Sequence, residues 1–388
     1  MLSKLEIFSE SCALMDQRGI VVRNELCLHT RHQASDCLRC SSVCPTGAIR
    51  FDNGLVFTAG ECSGCGACTT VCPSGALSGK LPSNAEVRQA VKRHIALSGA
   101  VAFACETWLD EHPAERDRVV ALQCIARLDE SVLADAVLGG AAQVAILDGA
   151  CAQCPQGKLR RLAQHTADTV NNLLGHWQYK SAIAISHEVP TELRALPPAQ
   201  DQTAGVSRRG FFSFLRSRGA GLASTALPGM LSVALGRRED NPNANRLVSG
   251  QTKMEPERHR HLVDALRKLA TTPLPKEFAS KLWAELSITP DCIGCAACAE
   301  ACPSGALAAV TCDALWGIFH ESSRCTHCGL CVNICPRKCI QMDSTVMLDL
   351  LLKQQPRLLA GKDRKEVENL SEPMASRVAR MFEGVVHW

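Results

Sequence analysis

The chain has 388 residues, of which 46% are hydrophobic and 21% charged, and a formal net charge of +3. That is length for two or three domains with buried cores, and it excludes wholesale disorder. An aromatic content of 4%, with Tyr179 the single tyrosine, and a pI near 8.0 leave neither a stacking surface nor a basic footprint for nucleic acid.

The first residues, from Met1 to Glu10, carry charges throughout and no apolar h-region, so no secretory signal is read there. No run of 18 uninterrupted apolar residues occurs, so no membrane span is expected. The 23 cysteines, many at C-x-x-C spacing, read as metal ligands rather than a disulfide scaffold. Thiolate ligands suit a reducing compartment, and the cytoplasm is the expected location.

Residues 1–82 form a Cys-rich head, with Cys27, then Cys37-Leu-Arg-Cys40-Ser-Ser-Val-Cys44-Pro45, then Cys62-Ser-Gly-Cys65-Gly-Ala-Cys68-Thr-Thr-Val-Cys72-Pro73. In 83–190 short apolar runs (100–104, 119–123, 144–147, 182–186) alternate with helical stretches (130–138, 157–174), which predicts a small parallel α/β domain. Residues 191–286 hold Pro-Pro, Gly/Ser/Ala and Asn-Pro-Asn stretches and read as a linker with one or two helices, one of them charged, at 255–270. Residues 287–345 repeat the head, with Cys292-Ile-Gly-Cys295-Ala-Ala-Cys298-Ala-Glu-Ala-Cys302-Pro303 and Cys325-Thr-His-Cys328-Gly-Leu-Cys331-Val-Asn-Ile-Cys335-Pro336. Residues 346–388 read as a helical tail. The fold class expected is α+β: two Cys-rich modules flanking a small parallel-sheet domain and a partly helical linker.

A [4Fe–4S] cluster needs four thiolates on one cube, and C-x2-C-x2-C-x3-C-P supplies them by crossing: the triplet wraps one cluster and the fourth cysteine reaches the other. Proline then turns the chain away. Small residues such as Gly64, Gly66 and Ala67 let backbone amides approach the sulfurs. Structural zinc, with its paired C-x-x-C knuckles, fits this spacing poorly. Both regions (about 25–80 and 288–345) resemble the bacterial-type two-cluster ferredoxins. That resemblance implies a βαββαβ fold, low-potential one-electron transfer and the crossed ligand pattern. Carried over, it groups Cys292, Cys295, Cys298 and Cys335 around one cluster, and Cys325, Cys328, Cys331 and Cys302 around another. In the head, Cys62, Cys65, Cys68 and Cys44 form a third set. The first head motif lacks one cysteine of its triplet. Cys27, with nine residues intervening before Cys37, is assigned to complete Cys37, Cys40 and Cys72; Cys12, or a three-Cys [3Fe–4S] site, is the alternative. Cys312 and Cys339 fall outside the motifs and read as small buried hydrophobes.

Cys105, Cys124, and Cys151 with Cys154 each follow a candidate strand, and in an open parallel sheet those ends share one edge. The stretch 99–190, through Phe103-Ala-Cys105, Gln123-Cys124 and Asp148-Gly-Ala-Cys151-Ala-Gln-Cys154, resembles the delta (small iron–sulfur) subunit of methyl-viologen-reducing hydrogenases. That family binds a [2Fe–2S] cluster, so these four are candidate ligands. The alternative is a set of merely buried cysteines. His187 reads as a surface or satisfied residue, and His327 as a cluster-loop residue that either tunes by charge or is solvated. Ser207-Arg208-Arg209-Gly210-Phe211-Phe212 resembles a twin-arginine export motif, but its internal position favours a basic amphipathic docking helix.

With no G-x-G-x-x-G after a strand and no P-loop, the chain reads as a non-catalytic electron-transfer subunit of polyferredoxin type. It would hold four [4Fe–4S] clusters and a candidate [2Fe–2S] cluster. Its partners would be redox proteins: a molybdenum or tungsten oxidoreductase, a hydrogenase or a heterodisulfide-reductase-like complex. An accessory ferredoxin assisting assembly of a molybdenum or iron–sulfur enzyme is the alternative.

Overall fold

The computed structural model describes residues 19–52, 54–179, 182–194, 253–269, 277–312 and 315–363. Cys12 and the Arg208-Arg209 segment lie outside the described residues.

The head is built from short elements because its cysteines and turns leave little room for longer ones. In order these are β1 (Ile20–Val22), α1 (Leu28–Arg31), α2 (Arg39–Ser42), β2 (Ile49–Phe51), β3 (Leu55–Phe57), α3 (Ala67–Val71) and β4 (Leu77–Gly79). β1 and β4 pair antiparallel, Ile20 opposite Gly79, and β2 and β3 form an antiparallel pair, Ile49 opposite Phe57. Ile20, Ile49, Leu55 and Leu77 turn inward and are buried with Cys27, Cys40, Cys68 and Cys72, so the thiols are part of the core.

The middle follows as α4 (Asn84–Ser98), β5 (Ala100–Cys105), α5 (Glu106–Glu111), β6 (Val120–Leu122), α6 (Glu130–Leu138), β7 (Gln143–Leu147), α7 (Arg160–Gly175), β8 (Ile183–Ser186) and α8 (Thr191–Arg194). Four parallel strands lie in the order β6-β5-β7-β8. Apolar runs buried on both faces are what a parallel sheet demands, and Val101, Ala102, Phe103, Val144, Ile146 and Leu147 are fully buried. α4 starts on a capping box between Ser83 and Glu86 and stops at Gly99, whose φ of +70° suits glycine.

The tail contains α9 (Glu257–Arg267), β9 (Glu277–Ala279), β10 (Glu285–Ile288), α10 (Ala297–Ala301), β11 (Leu307–Cys312), β12 (Leu315–His320), α11 (Leu330–Ile334), β13 (Ile340–Asp343), β14 (Thr345–Met347), α12 (Leu348–Lys353) and β15 (Arg357–Asp363). β10 with β13, and β11 with β12, reproduce the two antiparallel pairs of the head. The chain is therefore an α+β protein with a Cys-rich module on either side of a parallel sheet.

Two segments differ from expectation. The stretch around 255–270 is less a linker than a wall of the central core. Leu262, Val263 and Leu266 form one apolar stripe on α9 and are buried in the same cluster as the parallel sheet, with Trp283, Leu348 and Leu351. The part of 346–388 that is described is one short helix and then a strand, because β15 finds an open edge on β12 and pairs with it, Leu315 opposite Asp363.

Arg88 on α4 fastens this arrangement. It is buried and donates to Asp135 on α6 at 2.9 Å, to Ser131 at 2.7 Å and to Glu257 on α9 at 3.1 Å. Removing Arg88 leaves the buried Ser131 hydroxyl and the part-buried Asp135 carboxylate short of their donor, while Glu257 can turn to water. Arg88→Ala is expected to destabilise the fold by about 1–3 kcal/mol in denaturant titration, whereas truncating the exposed Arg116, paired with Glu106 at 2.7 Å, is expected to leave stability unchanged within error.

His259, also on α9, is buried beside Trp283 at a ring-centroid distance of 5.2 Å. Burial, and then the charge of Arg258, push its pKa down from 6.5 to about 3. The folded state thus holds a neutral imidazole that the unfolded chain would protonate below pH 6.5. Stability from this site is present above that value and falls as pH drops from 6.5 towards 3. A His259→Phe variant is expected to show a shallower fall of melting temperature over that window.

Candidate iron–sulfur sites

Three of the cysteine triplets share one backbone device. Positive φ recurs at the second residue after the first cysteine (Gly64, Gly294, His327) and at the first residue after the second (Gly66, Ala296, Gly329). The left-handed turns bend each loop around a common centre. Glycine takes them freely, while Ala296 and His327 accept an ordinary residue's strain of about 1 kcal/mol each. Gly66 is required twice over, because a Cβ there would also meet the side chain of Arg127 at 2.8 Å.

Cys27, Cys37, Cys40 and Cys72 come together. Burial raises the pKa of Cys40 to about 12, and the neighbouring thiols of Cys72, Cys37 and Cys27 add to it. Cys27 caps the N-terminus of α1 and is itself raised by burial, then by Cys72 and Cys37. Cys44, Cys62, Cys65 and Cys68 form the second set. Burial pushes Cys68 far up, and Cys65, Cys40, Cys62 and Cys44 all contribute.

The tail repeats this. Burial raises Cys298 to about 12, with Cys295, Cys292 and Cys335 as its neighbours. Burial pushes Cys331 far up, with Cys328, Cys325, Cys302 and Cys298 beside it. In each module the fourth cysteine of one motif therefore stands with the triplet of the other. Cys292, Cys295, Cys298 and Cys335 line a cavity of about 350 Å³ of atom-free space, part of it open to solvent. Cys339, read from sequence as a small buried hydrophobe, is buried but lines the same cavity, and its Sγ lies 3.4 Å from that of Cys335. Nothing in its spacing marked it; only the fold brings it there.

The middle cysteines also converge. Cys105 ends β5, Cys124 follows β6, and Cys151 and Cys154 follow β7, all at the carboxyl edge of the sheet. Burial raises Cys124 to about 12, with Cys65, Cys105 and Cys151 as neighbours. Burial raises Cys151 to about 11, helped by Cys105, Asp148 and Cys154. Gly157 lets the loop fold back, since a Cβ there would collide with the Cys151 carbonyl. The buried Asp148 ties the loop to Arg160, and the exposed His187 places Nδ1 2.8 Å from its other carboxylate oxygen.

The described cysteines form no disulfide. Among the described residues no group of three or more His, Cys, Asp or Glu side chains is placed to hold a single metal ion. A tetrahedral zinc draws four sulfurs to about 2.3 Å from one point. A cubane of iron and sulfide spreads its four thiolates over the corners of a larger body, and soft thiolate donors suit it. The donor sets and their open spacing fit such a group.

Residues 33–76 match a 4Fe-4S dicluster domain family, and residues 291–340 match another 4Fe-4S dicluster domain family. No curated protein and no solved structure matches the chain. The two domains define an iron–sulfur protein with up to four [4Fe–4S] clusters, of the class whose usual role is electron transfer. Among the described residues no helix is long and apolar enough to cross a membrane.

Proposed function

We propose that this chain is a polyferredoxin-type relay that passes single electrons along a series of iron–sulfur sites to a partner oxidoreductase. The proposed ligand sets are Cys27/Cys37/Cys40/Cys72, Cys44/Cys62/Cys65/Cys68, Cys302/Cys325/Cys328/Cys331 and Cys292/Cys295/Cys298/Cys335, with Cys105/Cys124/Cys151/Cys154 as a fifth site for a [2Fe–2S] cluster. Bound iron–sulfur clusters would supply the one-electron chemistry; the chain's part is to hold them close, dry and in order.

The observation that carries this reading is that neighbouring sets adjoin one another. Cys124 of the middle set neighbours Cys65. The two segments are joined by a hydrogen bond from Thr70 Oγ1 to the Ala126 carbonyl at 2.9 Å and by a shared apolar contact of Ala67, Ala126 and Leu159. Cys68 neighbours Cys40 of the next set. Across to the tail, Cys37 and Cys328 flank an apolar contact of Leu28, Ala301 and Leu330. Arg31, buried there, faces the thiols of Cys302 and Cys328. Arg39 donates to the His327 carbonyl at 2.8 Å, and Asn333 to Asp36 at 2.6 Å. Cys331 then neighbours Cys298. The sets form a line from the middle site, through head and tail, to the exposed Cys295.

The delta-subunit resemblance of residues 99–190 supports a hydrogenase or heterodisulfide-reductase-like partner, and thiolate ligation supports a reducing compartment such as the cytoplasm. Anaerobic purification with iron and sulfide counting and EPR of the reduced protein tests the proposal. About 18 Fe per chain is expected, about 16 of them in cubanes, with line broadening from spin coupling between adjacent sites. A colourless protein, or one carrying stoichiometric zinc, would refute it.

A further inference from the structure

Four times the chain leaves a crossing cysteine through a proline, and three of the four exits are alike. They read Cys44-Pro-Thr46-Gly47-Ala48, Cys72-Pro-Ser74-Gly75-Ala76 and Cys302-Pro-Ser304-Gly305-Ala306. In each, the hydroxyl two residues on reaches back to the cysteine sulfur, at 3.7, 3.6 and 3.7 Å. The fourth exit reads Cys335-Pro-Arg337-Lys338-Cys339 and has no hydroxyl at that place. Its turn is the same, since Lys338 holds a φ of +50° where Gly47, Gly75 and Gly305 hold about +70°. The positions are therefore equivalent. Where Ala48, Ala76 and Ala306 bury a methyl group, Cys339 buries a thiol, with its sulfur 3.4 Å from that of Cys335.

We infer that Cys339 is not a ligand but a hydrogen-bond donor to the Cys335 sulfur, replacing the hydroxyl that the other three exits supply, and that it sets the reduction potential of one cluster. The inference rests on the ligand assignment proposed above. A hydrogen bond to a ligand sulfur withdraws negative charge and favours the reduced, more negative state of the cluster, which raises its potential. An S–H is a weaker donor than an O–H, so this exit is tuned differently from its three siblings. Arg337 and Lys338 are both exposed, where solvent screens their charge.

The test is an EPR-monitored potentiometric titration of the loaded, full-length chain. Cys339→Ala introduces the residue the three siblings carry and is expected to keep its full iron content. One cubane midpoint should move to more negative potential, by about tenfold in the ratio of reduced to oxidised cluster, or ~59 mV for one electron. Adding Arg337→Ser to Cys339→Ala rebuilds the sibling arrangement and is expected to bring that midpoint back up. Unchanged midpoints in Cys339→Ala overturn the inference. So does loss of about four irons, which would make Cys339 a ligand. A Cys335→Ala variant that keeps all its iron would show instead that the ligand assignment itself had failed.

Discussion

Cys72→Ala is expected to strip the site built from Cys27, Cys37 and Cys40 while leaving the one built from Cys62, Cys65 and Cys68 loaded. By sequence Cys72 belongs to the second group, four residues after Cys68. In space it stands with the first: the thiols of Cys27, Cys37 and Cys40 are each influenced by Cys72, whereas Cys68 is influenced by Cys44. A cubane left with three thiolates loses an iron or fails to assemble, so the variant should fall by up to about four irons per chain. Cys44→Ala should produce a loss of the same size from the other site. Their EPR spectra should differ, because different members of the series are missing. Identical residual spectra in the two variants would contradict the crossed arrangement. Cys27→Ala should reproduce the Cys72→Ala spectrum, which tests the one ligand that no local motif supplies.

How much of this was legible depends on how far each signal reaches along the chain. The triplets are local, so Cys62, Cys65 and Cys68, or Cys325, Cys328 and Cys331, were readable from spacing alone. The crossing was readable only through family resemblance, and Cys27 only as the nearest upstream candidate. Its place at the start of α1, buried near Cys37 and Cys72, depends on a helix that four residues of sequence hardly announce. The convergence of the middle cysteines was legible because strand ends in a parallel sheet share an edge, which is a topological rule rather than a motif. The contacts that line the sets up were not legible. Arg31 facing Cys302 and Cys328, Arg127 against Gly66 and Thr70 on the Ala126 carbonyl join residues remote in sequence, and none is a pattern. The helix at 255–270 was legible as a charged helix, but the Pro-Pro, Gly/Ser/Ala and Asn-Pro-Asn stretches before it placed it in a linker. Three apolar residues on one face of α9 were enough to bind it to the central core.

The middle site offers the second large effect, and it separates a true cluster from merely buried cysteines. Cys124→Ala should lower iron by about two per chain if the four middle thiols hold a [2Fe–2S] cluster, and should leave the cubane signals in place. Cys124 is the right residue to cut because it belongs to the middle set by position and to the junction by contact, lying beside both Cys105 and Cys65. The change removes only a sulfur, so the sheet, whose core is apolar, should keep its stability to within about 1–2 kcal/mol. Cys105→Ala, at the end of the central strand β5 and beside Cys154, should give the same iron loss. The two variants are expected to differ in one respect. If the cubane nearest the middle site senses Cys124 directly, its EPR line should sharpen in both variants through loss of the neighbouring spin, but its midpoint potential should shift more in Cys124→Ala, where the side chain adjoining its own ligand has changed. Wild-type protein with about 16 Fe, unchanged by either substitution, would leave these four as unligated thiols and end the relay at the head module.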